Sequence, residues 1–290
     1  MKNKKYSRII AGTMTWGSWG KNLDLELMVD LIHHCVSQGI HTFDHADIYG
    51  GYTTEEAFGR ALSKSGISRD SIQLISKCGI QYICEKRPNG IKHYDYRKSY
   101  IIGSVEESLK NLQTEYLDLL LLHRPSPLMH PDEIGEAVEQ LKTQGKIVDF
   151  GVSNFTPSQM QLIDSGTSVA VNQIEFSLTA HNAMHDGTLD HMILHGITPM
   201  AWSPLGTVFR EENDQTHRIH QQLMELMPKY NATADQLLLA WILQHPSSIH
   251  PVIGTTGKDR IINAVNALKI ELELEDWFSL LVASQGHKVP

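Results

Sequence analysis

A chain of 290 residues, 41% hydrophobic and 20% charged, holds enough apolar material for one large core. Its formal net charge of -8, with no basic stripe beyond the N-terminal run KNKK, which reads as a solvated tail, argues against a nucleic-acid binder. Cys35, Cys78 and Cys84 lack CxxC spacing, so neither a disulfide framework nor a zinc site is suggested, and no signal peptide or spanning apolar run is seen; the expected setting is the cytoplasm, away from membranes.

The predicted elements alternate along the chain. Arg8 to Thr13 reads as a strand, followed by a glycine-broken loop with Trp16 and Trp19 and a helix from Leu25 to Gln38 that Gly39 stops. Thr42 to Asp44 is the second strand, and the helix from Thr54 to about Ser65 opens with Glu55 and Glu56 in its first turn. Ile72 to Lys77 is the third. The long stretch from Cys78 to Lys98 shows no evident structure and reads as a functional loop before a helix from Tyr100 to Leu112. Tyr116 to His123 is the fourth strand, its unbroken leucines expected to be buried on both faces as in a helix-covered parallel sheet. A helix from about Pro131 to Gln144 follows.

Ile147 to Gly151 is the fifth strand, and Thr156-Pro157 supplies a cap and a first-turn proline to the next helix. Val169 to Ile174, Thr198 to Trp202 and His250 to Ile253 complete the strands. Helices are expected at Thr188 to His195, Thr216 to Met227, Thr233 to Gln244, Lys258 to Leu268 and Leu274 to Ala283. Eight strand-helix units without a linker or low-complexity tract predict a single-domain (β/α)8 TIM barrel over residues 1–290. No short-period repeat suggests a solenoid.

In such a barrel, chemistry sits at the carboxyl ends of the strands. The polar residues there are Thr13, Asp44, Lys77, His123, Asn154, Gln173, Ser203 and Thr255, one from each strand in turn. Any one has an ordinary explanation as a turn residue or a satisfied core group; eight in succession, with Tyr49 on the loop after Asp44, point to one mouth.

These residues resemble the aldo-keto reductases over nearly the whole chain. FDHADIYGG is similar to that family's aspartate and tyrosine segment, SK to its lysine, LLLHRP to its histidine, GVSNF and NQIEFS to its nicotinamide-amide contacts and AWSPLG to its stacking segment. Within the family, DHADIYGGY, SKCGI and HRPSPLM are most similar to the bacterial YdhF-like oxidoreductases. The resemblance implies a catalytic set of Asp44, Tyr49, Lys77 and His123. It also implies a nicotinamide cofactor, usually phosphorylated, touched by Asp44, Ser153, Asn154, Gln173, Trp202, Ser203, Pro204, Leu205 and Gly206, with Thr13 and Met14 flanking it on the first-strand side.

Proximity of those four would suffice for the chemistry. Hydride addition to a carbonyl leaves a developing alkoxide that needs a proton and a positive environment together. A free tyrosine has a pKa of roughly 10. Lys77 beside Tyr49 is expected to lower it, Asp44 to hold Lys77 charged, and His123 to donate a second hydrogen bond to the substrate oxygen.

A Rossmann GxGxxG is missing, since Gly12, Gly17 and Gly20 have the wrong spacing. PVIGTTGKDR instead places Ile253, Gly254, Thr255 and Thr256 before a helix start suited to an anion, with Lys258 and Arg260 adding charge. Beside the resemblance this reads as a clamp for a ribose 2′-phosphate, hence NADP(H). Relatives commonly carry Glu then Asn three and four positions after the arginine; here Asn263 can replace part of that adenine contact and Ala264 cannot.

Trp16, Trp19, Tyr49, Tyr52 and His123, with the stretch from Cys78 to Lys98, and less directly Phe155 and Phe176, are expected to wall a pocket for a small carbonyl compound. No residue names that compound or the oligomeric state. A metal-dependent hydrolase would want an HxH pair, and His41 and His45 are split across the strand; a glycosidase would want a carboxylate pair, and Asp44 has at most Glu175. The competing reading is a nicotinamide-binding barrel that senses redox state with little turnover. Retention of all four catalytic residue types favours an enzyme.

Overall fold

The computed structural model describes residues 6–290, so the KNKK run lies outside the described residues. In chain order it runs β1 (Ile10–Gly12), α1 (Leu25–Ser37), β2 (Thr42–Asp44), α2 (Thr54–Ser65), β3 (Gln73–Cys78), β4 (Ile80–Gln81), β5 (His93–Tyr94), α3 (Lys98–Leu112), β6 (Leu117–Leu122) and α4 (Pro131–Thr143). It continues with β7 (Ile147–Ser153), α5 (Pro157–Asp164), β8 (Val171–Glu175), α6 (Thr188–His195), β9 (Thr198–Trp202), α7 (Asp214–Tyr230), α8 (Ala234–Leu243), β10 (His250–Ile253), α9 (Lys258–Asn266) and α10 (Leu274–Gln285).

All the strands except β4 and β5 close into a parallel barrel in the order β1-β10-β9-β8-β7-β6-β3-β2. Strand side chains alternate between the two faces of a sheet, and both faces here are apolar because one fills the barrel and the other meets the helices. In β6, Leu119 and Leu121 join Ile10, Ile75, Val171, Met200 and Val252 inside. Leu120 and Leu122 pack outward with the helix layer, among Phe150, Val138 and Ile101. The unbroken leucine run is thus the mark of a strand with two buried faces.

Register aligns the strand ends. Gly12 pairs with Asp44, Asp44 with Ile75 and Ser153 with Gln173, so the residues that follow emerge at one rim. Capping supports the helices: the Asn213 side chain accepts from Thr216 N–H at 3.0 Å, and Thr156 with Gln159 forms the reciprocal box that opens α5. The terminal helix is fastened by Trp277, stacked on Trp241 at 4.9 Å, each indole N–H donating to the other residue's carbonyl at 2.9–3.1 Å.

Several boundaries differ from the sequence reading, for identifiable reasons. The stretch expected to lack structure holds the antiparallel pair β4–β5, joined through Ile80–Tyr94 and Gln81–His93, too short for a periodic signal. α7 runs through Pro228 to Tyr230, because a proline near a helix end forfeits one hydrogen bond while Lys229 is held by Glu273 and Asp276 at 2.7 Å each. β7 passes Gly151 and ends at Ser153; a Cβ at Gly151 would sit 2.4 Å from Val171 O, so this glycine permits close strand approach. Among the described residues no helix is long and apolar enough to cross a membrane.

Candidate active site

Asp44 closes β2, Lys77 lies near the end of β3, and His123 follows β6 directly. The loop after β2 then bends back: Gly50, Gly51 and Tyr52 all adopt left-handed backbone, with φ of 62°, 65° and 69°. That turn returns Tyr49 to the rim.

Lys77 is 1% exposed, and its ammonium is fully engaged. It donates to Asp44 Oδ1 and Oδ2 at 2.7 Å each, to the His45 carbonyl at 2.8 Å and to Tyr49 Oη at 3.2 Å. Asp44 Oδ1 also accepts from Gln173 Nε2 at 2.9 Å. Burial favours the neutral amine, yet Asp44 and Tyr49 outweigh it and hold the Lys77 pKa above its ordinary value.

The Tyr49 phenol moves opposite to expectation. Burial pushes its pKa up, and the Lys77 ammonium, pulling down, does not cancel that. Sequence carries the charge of a neighbour but not the depth of the site, and here depth dominates. His123 packs edge-on to Tyr49 with ring centroids 6.1 Å apart. Burial, then the charges of Lys77, Arg124 and Lys92, drive its pKa well below the ordinary histidine value, so it is neutral at pH 7.

Tyr49 and His123 face a cavity of about 590 Å³ that Asp44, Ser153, Asn154, Gln173 and Trp202 also line. Met14, Trp19, Ile48, Ile80, Tyr82 and Tyr94 form its apolar and aromatic walls. A second cavity of about 570 Å³ shares Ser203, Pro204, Arg210 and Gly254 with it and continues past Leu205, Gly206, Ile253, Thr255, Arg260, Asn263 and Ala264. Together they form one trough from Tyr49 to the start of α9.

The trough is shaped by strained backbone. Asn154 and Ser203 adopt φ of 62° and 51°, costly for residues with a Cβ and concentrated at functional sites. The Asn154 amide donates to Ser153 Oγ at 2.8 Å and accepts from the Trp202 indole at 2.9 Å. Gly206 (φ 56°) abuts Thr179, whose Oγ1 would lie 2.0 Å from an added Cβ. Among the described residues no side chain caps the N-terminus of α9, so its first-turn N–H groups are open to an anion beside Arg260. An elongated trough with amide groups at one end and an uncapped helix start with arginine at the other fits a dinucleotide.

Some expected residues lie elsewhere. Trp16 is 1% exposed and packs against Phe43 and Phe58 in the core, so it walls no pocket. Tyr52 is also buried, its hydroxyl donating to Ile80 O at 3.2 Å and accepting from Tyr82 N–H at 3.0 Å; it anchors the hairpin. Phe155 and Phe176 belong to the core, Phe176 stacking on Trp241. Thr13 is buried, donating to Asp44 O at 3.0 Å, and Thr256 lines neither cavity. Lys258 is ion-paired to Asp30 at 2.6 Å and turned from the trough, leaving Arg260 as the cation there from the α9 start.

Sequence reasoning singled out neither Arg210 nor Arg124, and took Lys92 only as part of the stretch from Cys78 to Lys98; all three line the cavity that Tyr49 faces. Arg124 follows His123 directly and was within reach of the strand-end argument; Lys92 and Arg210 sit in loops where no spacing marks them. Among the described residues no cluster of three or more His, Cys, Asp and Glu could hold a metal ion.

Comparison with known proteins adds an independent line. The model of the "Aldo/keto reductase family" matches residues 8–280. Oxidoreductase YdhF of Escherichia coli is 38% identical over 289 residues, covering 99% of this chain and 96% of that one. A 6-dehydroglucose reductase of Agrobacterium fabrum is 38% identical over 263 residues, covering 89% of this chain and 88% of its own. The crystal structure of the thermostable aldo-keto reductase Tm1743 superposes with a TM-score of 0.84 at 25% identity, covering 97% of each chain.

Proposed function

The chain belongs to the aldo/keto reductase family of oxidoreductases, and on that premise we propose that it reduces an aldehyde or ketone to the alcohol with NADPH, Tyr49 being the proton donor. The observation that carries this reading is the hydrogen-bonded chain Asp44–Lys77–Tyr49 opening on the same cavity as His123.

A nicotinamide held in this trough would supply the hydride. Everything else falls to the side chains. As the carbonyl oxygen gains charge, a phenol kept protonated by burial is the available acid, and Tyr49 Oη gives up its proton. The phenolate left behind is stabilised by the Lys77 ammonium at 3.2 Å, which Asp44 keeps charged and aimed. His123 is neutral, so it orients and polarises the substrate oxygen instead of protonating it. Gln173, tied to Asp44, joins Ser153 and Asn154 as the amide-binding edge of the cavity. Arg260 and the uncapped start of α9 favour the phosphorylated cofactor.

The reading is tested with purified protein, NADPH and a panel of aldehydes and ketones. Steady NADPH oxidation matched by alcohol formation is expected; bound NADPH with no turnover across the panel would overturn it.

A further inference from the structure

Resting on that carbonyl-reductase reading, we propose that the substrate carries an anionic group, received by Lys92 and Arg124 at the mouth of the catalytic cavity. The charged side chains lining this cavity are Asp44, Lys92, Arg124 and Arg210. Both Asp44 oxygens are taken by Lys77, so that carboxylate neutralises nothing else. Arg210 donates to Gly206 O at 2.7 Å and is shared with the second cavity, which places it on the cofactor side. Lys92 and Arg124 remain in the cavity that Tyr49 and His123 face, a local positive surplus in a chain of net charge -8.

Their lack of partners sets them apart from nearby cations. Arg87, Arg97 and Lys98, in the same part of the chain as Lys92, are each paired with a carboxylate, of Glu107, Asp95 and Glu136. Lys92 and Arg124 have no ion pair or side-chain hydrogen bond among the described residues. Arg124 is nonetheless held in place. Its guanidinium lies 5.2 Å over the Trp202 ring, and its backbone N–H donates to Tyr96 Oη at 3.1 Å, which donates to the Arg124 carbonyl at 2.5 Å. A fixed, unpaired guanidinium in a cavity is suited to an anion. Both charges act on the His123 ring, and Arg124 also acts on Tyr49, so the two cations and the reacting groups share one cavity. Trp19 and Tyr82, 5.2 Å apart, supply an aromatic wall for its apolar body.

The test compares kcat/KM for 4-carboxybenzaldehyde with that for 4-methylbenzaldehyde in the wild type, Lys92→Gln, Lys92→Glu and Arg124→Gln. The wild type should favour the carboxylate; each glutamine variant should cut that ratio about tenfold, and Lys92→Glu should shift preference toward 4-(trimethylammonio)benzaldehyde. Lys92 is exposed, so its variants keep the test decisive even where Arg124→Gln disturbs Trp202. The same ratio in all four proteins would overturn charge selection while leaving the reductase intact. Turnover of none of the aldehydes would sink the reductase reading instead, and calorimetric titration with 4-methylbenzoate then decides this inference: weaker binding by Lys92→Gln supports it, and equal or absent binding overturns it.

Discussion

At the level of single residues, the site turns on which group owns the proton. Three ionisable side chains crowd one point, and burial leaves each with a different outcome: it raises the tyrosine, lowers the histidine, and its lowering of the lysine is overcome chiefly by a carboxylate at 2.7 Å. The phenol therefore stays protonated beyond its ordinary range, while the imidazole is neutral well below its own. Reductive kcat/KM is accordingly expected to stay level from about pH 6 to 9, without a step near the ordinary histidine pKa of about 6.5, and to fall only above the ordinary tyrosine value of about 10. A pH series with a clear break near 6.5 would show that His123 titrates in the reaction. The identities of these residues were legible in the strand-end pattern. The direction of the Tyr49 shift was not, because depth of burial depends on every strand around it.

At the level of elements, the same strand-loop-helix unit that delivers Tyr49 also buries acids. Asp47, on the loop after β2, receives hydrogen bonds from Ser104 and Tyr100 of α3 at 3.2 and 3.4 Å, and its Oδ1 has no partner among the described residues. Burial, then the charge of Glu55 on α2, raise its pKa to about 8 against the pull of Arg87. Glu55, bonded by Ser76 of β3, is raised by burial to about 6. Because the folded values exceed the unfolded ones, the native state binds more protons between the two. The contribution is fully present below the unfolded pKa, near pH 4, and is lost as pH rises to about 8. Urea midpoints should therefore fall from pH 5 to 8.5, and Asp47→Asn should flatten that slope and stabilise the protein at the alkaline end. An unchanged slope in Asp47→Asn would contradict this assignment.

Elements were legible in the sequence where an apolar run stood between turn signals. α6, β9 and β10 fall where spacing placed them, whereas the two-residue strands β4 and β5 carry no period at all. Trp16 and Tyr52 were misplaced for a related reason: their glycine-rich loops look exposed, but each folds back so that Trp16 faces the core and Tyr52 the hairpin.

For the molecule as a whole, closure of the barrel brings together residues from distant parts of the chain. Asp44 and Gln173, bonded at 2.9 Å, are 129 positions apart. The trough so formed has Tyr49, the proposed proton donor, at one end and Arg260 at the other. Replacing Arg260 with glutamine should reduce the ratio of NADPH to NADH affinity about tenfold, since a charge-assisted bond contributes roughly 1.5–3 kcal/mol. Equal weakening of both cofactors, read by fluorescence titration, would place the phosphate elsewhere. The convergence on Tyr49 is tested most directly by Tyr49→Phe, assayed for NADPH binding and aldehyde turnover together. Cofactor affinity close to wild type with turnover reduced about 10² to 10⁴ is the predicted result; turnover near wild type would contradict the account.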